Sequence, residues 1–240
     1  MTLCPAAEKS SLVMLASEEG QSRLQEALQE PSCCGQASVV KAWYTQRGMT
    51  TCGLASLAIV LNSAGEVDVD EDDILSLVEH GADVPNRELV NRRGLTLAEL
   101  EAIASGLRTR ISTAHRSHAG TDAATKTPED FRRALVCALR SNNARVILNY
   151  HLGDLGAAAL YGHFSPVAAY HAATDSLLIC DTWWTTEPMW APLEKVFLAT
   201  TGLDSDSKQP RGLLTMECIK PSENCQRSIS NEKLPEVVSS

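Results

Sequence analysis

Residues 45–63, TQRGMTTCGLASLAIVLNS, join a polar loop directly to a strongly apolar stretch, and they decide the fold. Leucines recur at intervals of three and four residues after Cys52, with alanine, isoleucine and valine beside them, which is the spacing of one continuous helical face. Thr50 or Thr51 can cap such a helix, and Gly65 can end it. The stretch therefore predicts a central, buried helix that begins at Cys52.

Cys52 takes the first turn of this helix and directly precedes Gly53. The positive end of a helix dipole stabilises a thiolate, and a glycine at position 53 leaves room for a substrate to approach the sulfur. Two interpretations are open, a nucleophile or an inert core cysteine. Position alone favours the second, because most buried cysteines do not react. A nucleophilic thiolate also needs a nearby base.

Six histidines are candidates for that base. One of them, His163, heads a predicted strand at 164–170. The other five lie in polar, loop-like stretches or at strand borders: His80, His115, His118, His151 and His171.

A predicted hairpin separates His163 from His171. If strand 164–170 pairs with residues 177–181 around a turn centred on residue 172, His163 and Asp181 become cross-strand neighbours. His171 then lies at the far end of the strand, about 26 Å away at roughly 3.3 Å per residue. The order Cys, His, Asp is that of papain-like enzymes. The alternative is a purely structural His–Asp pair.

Gln46 is the fourth candidate, at the end of the loop that leads to Cys52. A side-chain amide at this place can join the Cys52 backbone N–H as an oxyanion hole. Taken alone, a loop glutamine is usually just solvated.

Periodicity and capping signals predict the remaining elements, helices first and an antiparallel sheet later, which is an α+β plan. A loop is predicted at 31–36. The predicted helices lie at 21–29, 70–80, 97–106 and 128–140, and the predicted strands at 145–150, 164–170, 177–180 and 213–219.

Composition excludes several classes of partner. The 240 residues carry a formal net charge of −9, which argues against nucleic acid or an anionic membrane as the main partner. No apolar run approaches the length of a membrane span. Eight cysteines without a CxxC pair indicate reduced thiols, and hence a cytoplasmic protein without a zinc site. Cys33 and Cys34 are either a soft-metal pair or two ordinary loop cysteines.

Two segments together resemble the phytochelatin synthase family. Residues 45–46 (TQ) and 52–57 (CGLASL) resemble its nucleophile segment, while residues 162–166 (GHFSP) and 179–181 (ICD) resemble its base and carboxylate segment. Weaker similarity extends the resemblance over roughly residues 18–218. It implies a papain-like cysteine protease fold, with a helical N-terminal half, the nucleophile on a central helix and an antiparallel sheet in the C-terminal half.

The resemblance implies thiol-dependent acyl transfer on glutathione. With His163 and Asp181 completing a catalytic triad, Cys52 would cleave the Cys–Gly bond and release glycine. It would then pass γ-Glu-Cys to another glutathione or a phytochelatin, giving metal-binding peptides. Cadmium (Cd) or zinc (Zn) would enter as a thiolate complex of the substrate, and no cofactor is expected at a dedicated site. The expected partners are glutathione, γ-Glu-Cys peptides and heavy-metal ions, and a homodimer stays open.

The chain departs from the family after the carboxylate, where an arginine suited to a substrate carboxylate is usual and residues 182–184 are Thr-Trp-Trp. The loss predicts a weak acceptor site, so that hydrolysis to γ-Glu-Cys and glycine competes with transfer. A hydrolase and a non-enzymatic thiol- or metal-binding protein therefore stay as alternatives. The expected substrate contacts are Arg47, Gly53, Gly162 and Arg211.

The expected domain plan has three parts. Residues 1–18 form a poorly ordered N-terminus, residues 19–220 a catalytic domain, and residues 221–240 a disordered tail rich in serine, glutamate and asparagine. The resemblance covers a catalytic domain only.

Overall fold

The computed structural model describes residues 12–65, 68–78, 83–107, 110–116, 126–156 and 161–218. The helices are α1 (Glu18–Gln29), α2 (Ala37–Ala42), α3 (Cys52–Ser63), α4 (Arg87–Arg93), α5 (Leu97–Gly106), α6 (Pro128–Arg140) and α7 (Leu193–Thr201). The strands are β1 (Val13–Met14), β2 (Cys34–Gly35), β3 (Arg110–Arg116), β4 (Ala144–His151), β5 (Gly162–His171), β6 (Ser176–Ile179), β7 (Met189–Pro192) and β8 (Gly212–Cys218).

Helix α3 is the buried central helix that the sequence predicts. Of its 12 residues, 11 are buried, so it is apolar on nearly every side and packs inside the molecule. It lies against β5, and Gly65, with φ +75°, follows its end. Because a fully buried leucine contributes roughly 1.5–3 kcal/mol, the leucines of α3 anchor the fold around Cys52.

One antiparallel sheet carries the rest of the core, in the order β1-β7-β6-β5-β4-β8-β3, with β2 also paired to β5. Successive side chains of β4 point to opposite faces of the sheet. Val146 and Leu148 pack with α6 and α7, whereas Ile147 packs with α3 and α5. The fold is therefore α+β, as predicted, with helices on both faces of the sheet.

The β5–β6 hairpin differs in register from the prediction. Its turn occupies residues 172–175, and Val167 pairs with Ile179 across a bulge between Val167 and Ala169. The predicted pairing is therefore wrong by three residues next to the turn, where Ala169 pairs with Leu178, and by two residues beyond the bulge, where Val167 pairs with Ile179. The side of the bulge that carries His163 has the two-residue shift, which keeps side chains on their predicted face, so the predicted meeting of His163 and Asp181 survives the error.

Most predicted elements are confirmed. Helices α5 and α6 begin with the expected caps, a capping box at Thr96 and a hydroxyl cap at Thr127 with Pro128 in the first turn. Strands β4, β5, β6 and β8 lie within two residues of their predicted bounds. Helix α1 begins earlier than predicted, where the Ser17 side chain caps it.

The helix predicted at 70–80 is wrong over its described part. Only a 3₁₀ turn forms there, at Ile74–Ser76. The carboxylates of Asp70 and Asp73 accept backbone N–H groups of the same segment, and such local bonds compete with a helix.

The helical and sheet halves are less separate than predicted. Residues 12–18 form β1 and the α1 cap instead of a poorly ordered segment, and β2 lies within the predicted loop at 31–36. His115 falls in β3, not in a loop. The expectations for residues 1–11 and for the tail at 221–240 lie outside the described residues. None of the helices in the described ranges has the length and apolar character to cross a membrane.

Candidate active site

The loop before α3 leaves the helix terminus open at Cys52. Thr51 holds the cap position, but its hydroxyl donates to the buried carboxylate of Glu71 instead (Oγ1–Oε1 2.7 Å), so the predicted side-chain cap is wrong. The same Glu71 oxygen accepts the backbone N–H groups of Arg47 (2.9 Å) and Gly48 (3.2 Å). The Thr51 side chain therefore accepts no hydrogen bond from the first-turn N–H groups of α3. These N–H groups lie beside the Cys52 thiol.

His163 and Asp181 meet as a buried pair. His163 Nε2 lies 2.9 Å from Asp181 Oδ1, and both side chains are almost fully removed from solvent. Asp181 follows β6, where Trp43 Nε1 donates to its carbonyl (2.7 Å) and Trp183 N donates to its Oδ1 (2.9 Å). The pair leaves His163 Nδ1 for Cys52.

The pKa of His163 couples the imidazole to Cys52. Burial alone would lower the pKa of His163, but the negative charge of Cys52, with hydrogen bonds to Asp181 and Cys52, raises it to about 10. The imidazole is therefore protonated near neutral pH when the thiol is ionised. Such an ion pair suits nucleophilic attack followed by proton donation.

Gln46 is buried beside Thr182, which fixes the orientation of its amide. The Thr182 hydroxyl donates to Gln46 Oε1 (3.0 Å), and Gln46 Nε2 donates to the Gly48 carbonyl (2.7 Å). Because a primary amide carries two N–H groups, the second is left for a ligand. Gln46 does not line the cleft that opens over Cys52 and His163.

A cleft of about 260 Å³ opens over Cys52 and His163. It is bounded by the loop before α3, the α4–α5 connection, the start of β5 and the loop before β8. Its lining residues are Met49, Thr50, Cys52, Arg93, Gly94, Leu95, Asn149, Tyr161, Gly162, His163, Phe164, Trp183, Asp204, Ser205, Asp206 and Arg211.

One end of the cleft is charged. Arg211 Nη1 lies 3.0 Å from Asp204 Oδ2, and both side chains are largely buried. A Cβ added to Gly162 would lie 2.0 Å from Arg211 Nη1, so only glycine lets the guanidinium approach the strand. Asn149 is 1% exposed, and neither atom of its amide has a hydrogen-bond partner among the described residues. Since buried polar groups are normally paired, Asn149 indicates a site for a polar ligand.

Two of the expected substrate contacts lie elsewhere. The side chain of Arg47 is 61% exposed and pairs with Asp70 (2.6 Å), and it does not line the cleft. The space beside Gly53 is filled, because a Cβ there would lie 2.9 Å from Leu95 Cδ1, so Gly53 serves packing and not substrate access. Gly162 and Arg211 do lie in the cleft.

Sequence reasoning missed Asn149, Asp204 and Glu71. Asn149 carried a usable signal, as a lone amide in an otherwise apolar predicted strand. Asp204 and Glu71 carried none, because each comes from a polar stretch whose approach to the site depends on the tertiary fold.

No metal centre is evident in the described ranges, where no three His, Cys, Asp or Glu side chains come together as ligands. Cys33 and Cys34 are both buried, and the Cys33 sulfur accepts the Ala172 N–H (3.3 Å). They are core residues of the β2 region, not surface thiols.

Replacing Glu71 with leucine is expected to lower kcat on the order of tenfold with KM little changed. The change removes the carboxylate that accepts the Arg47 and Gly48 N–H groups and the Thr51 hydroxyl, which frees the loop next to Cys52. Glu71→Gln keeps an oxygen acceptor and should retain most activity, and Asp72→Asn, on an exposed neighbour, should be neutral. Steady-state kinetics on protein checked for folding by circular dichroism measures this. Equal damage from the glutamine and leucine variants would contradict a positioning role.

Comparison with known proteins identifies the family. A family model described as Phytochelatin synthase matches residues 6–213. Glutathione gamma-glutamylcysteinyltransferase 2 of Arabidopsis thaliana is 28% identical over 212 residues, covering 83% of this chain and 43% of that protein. Glutathione gamma-glutamylcysteinyltransferase 3 of Lotus japonicus is 28% identical over 218 residues, covering 85% and 42%. The chain thus spans less than half the length of these relatives.

Two solved structures are also similar. The peptidase domain of Streptococcus ComA, a bifunctional ABC transporter of a quorum-sensing pathway, has a TM-score of 0.45 and 15% identity, covering 74% of this chain and 98% of that one. A C39-like peptidase from Bacillus anthracis has a TM-score of 0.45 and 13% identity, covering 79% and 99%. With a family model that spans nearly all the described residues, the chain belongs to the phytochelatin synthase family.

Proposed function

We propose that this chain is a cysteine-dependent acyltransferase that cleaves the Cys–Gly bond of glutathione and transfers γ-Glu-Cys to a second thiol peptide. The observation that carries the proposal is the buried His163–Asp181 pair coupled to Cys52 in the floor of one cleft. Family membership and the names of the curated relatives support it. Those names support transfer over the hydrolase and the non-enzymatic alternatives.

The first half-reaction forms an acyl-enzyme. The Cys52 thiolate attacks the carbonyl carbon of the Cys–Gly bond, and a C–S bond forms. The developing oxyanion is received by the Cys52 backbone N–H, and Gln46 stays a predicted second donor whose free N–H has to reach the oxyanion from beside the cleft. Protonated His163 then gives its proton to the glycine nitrogen, the C–N bond breaks, and glycine leaves.

The second half-reaction reverses these roles. The amine of the acceptor attacks the thioester carbon and gives a proton to His163, while the C–S bond breaks and the electron pair returns to Cys52 as thiolate. Water can take the place of the amine, which gives γ-Glu-Cys. Cadmium or zinc is proposed to arrive as a thiolate complex of the substrate peptide, with no separate site on the chain.

The charged end of the cleft fits the γ-glutamyl head of the donor. That head carries an ammonium and a carboxylate on one carbon. Asp204 offers an oxygen to the ammonium, Arg211 offers N–H groups to the carboxylate, and Asn149 adds an amide with both atoms unused by the described residues. A donor held there extends its peptide bond toward Cys52.

Incubation with glutathione, with and without cadmium, tests the proposal by mass spectrometry of the products. The expected products are free glycine together with γ-Glu-Cys peptides longer than glutathione. Intact glutathione after prolonged incubation would contradict the proposal, and glycine with γ-Glu-Cys alone would identify a hydrolase instead.

The alkaline limb of the pH–rate profile should report His163. The imidazole is protonated below its pKa and loses its proton above it, so kcat/KM should fall as pH rises through about 10. Asp181→Asn should move this limb to lower pH, because the hydrogen bond and charge of Asp181 help to raise the pKa of His163. An alkaline limb that stays in place in Asp181→Asn would contradict the coupling.

A reduced thiol is needed for this chemistry, and the cytoplasm keeps thiols reduced. A cytoplasmic location and a homodimer both stay predictions.

A further inference from the structure

Three aromatic side chains form a surface beside the cleft: Tyr161 and Trp183 line the cleft, and Trp184 stacks on Trp183 outside it. The rings of Trp183 and Trp184 stack with centroids 4.1 Å apart at 23°, and the Tyr161 ring lies 5.5 Å from Trp183. Trp184 is 43% exposed and Tyr161 44% exposed. We name Tyr161, Trp183 and Trp184 the aromatic platform. Large aromatic faces left in water beside a reactive centre indicate a ligand contact.

The aromatic platform lies on the His163 side of the cleft. Tyr161 and His163 alternate with Gly162 along the chain, so their side chains share one direction, and Trp183 packs against both, with its centroid 6.2 Å from that of His163. Gly162 instead faces the guanidinium of Arg211. The platform and the charged Asp204–Arg211 end therefore approach the catalytic pair from different directions.

The platform differs from the rest of the cleft in charge. The arginines among the described lining residues are Arg93 and Arg211, and each is paired with a carboxylate, Glu99 and Asp204 respectively. Neither belongs to the platform. An aromatic face attracts flat, uncharged or aromatic groups and offers no charge partner to a carboxylate.

The role of His163 in proton transfer determines which part of the substrates lies next to the aromatic platform. His163 protonates the departing amine and deprotonates the incoming one, so both amines pass beside His163 and thus beside Trp183. Because the donor's γ-glutamyl head occupies the charged end, the part of the acceptor beyond its amine extends over the platform. We infer that the aromatic platform is an acceptor subsite that prefers amines bearing a flat, uncharged or aromatic group to acceptors such as glycine and glutathione, whose amine carbon bears a carboxylate. This inference rests on the proposed function.

The step is the second half-reaction with a new amine. The amine nitrogen bonds to the acyl carbon, its proton passes to His163, the C–S bond breaks, and Cys52 regains the electron pair as thiolate. The product is a γ-Glu-Cys amide of the acceptor, and no oxidant or reductant takes part.

Competition between acceptors tests the inference. Wild-type protein is supplied with glutathione and with either phenylalaninamide or isotopically labelled glycine, at one neutral pH and at concentrations that give equal amounts of free amine. The label distinguishes glutathione formed by transfer to glycine from the glutathione supplied. Mass spectrometry then gives the ratio of transfer product to free γ-Glu-Cys. This ratio is set after acylation, so it does not depend on the rate of acyl-enzyme formation.

The wild type is expected to give a ratio about five- to tenfold higher with phenylalaninamide than with glycine, the range that one aromatic contact supplies. Trp184→Ala should lose this preference and Trp184→Phe should keep it. Leu198→Ala, at an exposed apolar position on α7, serves as the matched control and should behave as wild type. Equal ratios for the two acceptors in the wild type, or an undiminished preference in Trp184→Ala, would overturn the inference. A protein that releases no glycine from glutathione contradicts the proposed function itself.

Discussion

Cys52→Ser is expected to reduce glycine release from glutathione by on the order of 10³-fold or more, with the fold unchanged. A hydroxyl at the start of α3 is far less acidic than a thiol, and the open helix terminus cannot ionise it at neutral pH. The change is nearly isosteric, so circular dichroism and thermal unfolding should match the wild type. Release of glycine by the serine variant at near the wild-type rate would show that another group is the nucleophile.

Cys137 provides the matched control for this experiment. It lies on α6 and is exposed, so Cys137→Ser makes the same chemical change outside the cleft. Its turnover should be that of the wild type. A large loss in this variant would mean that thiol removal acts through something other than the proposed nucleophile.

His163→Ala is expected to cost a similar factor, on the order of 10³-fold in kcat, because it removes both the partner of the thiolate and the donor to the leaving amine. His171→Ala is an unusually close control. His171 is also buried on β5 and also bonds to a carboxylate, Glu26 Oε2, at 3.0 Å, but at the opposite end of the strand.

The two histidine variants should separate in what they lose. His171→Ala should lower thermal stability, since it breaks a bond between β5 and α1, while the folded protein keeps most of its kcat. His163→Ala should lose kcat while staying folded. Comparable kcat in the two variants, with both folded, would contradict the assignment of His163.

The candidate triad was predictable because each member has a local signal. Cys52 begins a helix whose apolar pattern is unmistakable, and His163 and Asp181 bracket a short hairpin. The register of that hairpin was not predictable, since the turn moved it by three residues and the bulge reduced the shift to two residues on the side of His163. The pair was still found, because side chains on a strand repeat every two residues.

Contacts between distant segments could not be predicted in the same way. The Thr51 hydroxyl can bond either to the first turn of α3 or to the Glu71 carboxylate. Only the tertiary fold brings Glu71 within 2.7 Å of this hydroxyl. Arg47 was expected at the substrate because it follows Gln46 in sequence, yet the acidic segment at 70–72 holds it outside the cleft. The role of Gly53 was misjudged for the same reason, because Leu95 fills the space beside it.

The most direct test of the proposed mechanism is to identify the residue that becomes acylated. Protein mixed with glutathione, quenched with acid within one turnover and digested, should carry one γ-Glu-Cys acyl group on the peptide that contains Cys52, with one glycine released for each group. This thioester is the result expected for the wild type. An acyl group on any other cysteine, or glycine release with no acyl group on Cys52, would contradict the proposed mechanism.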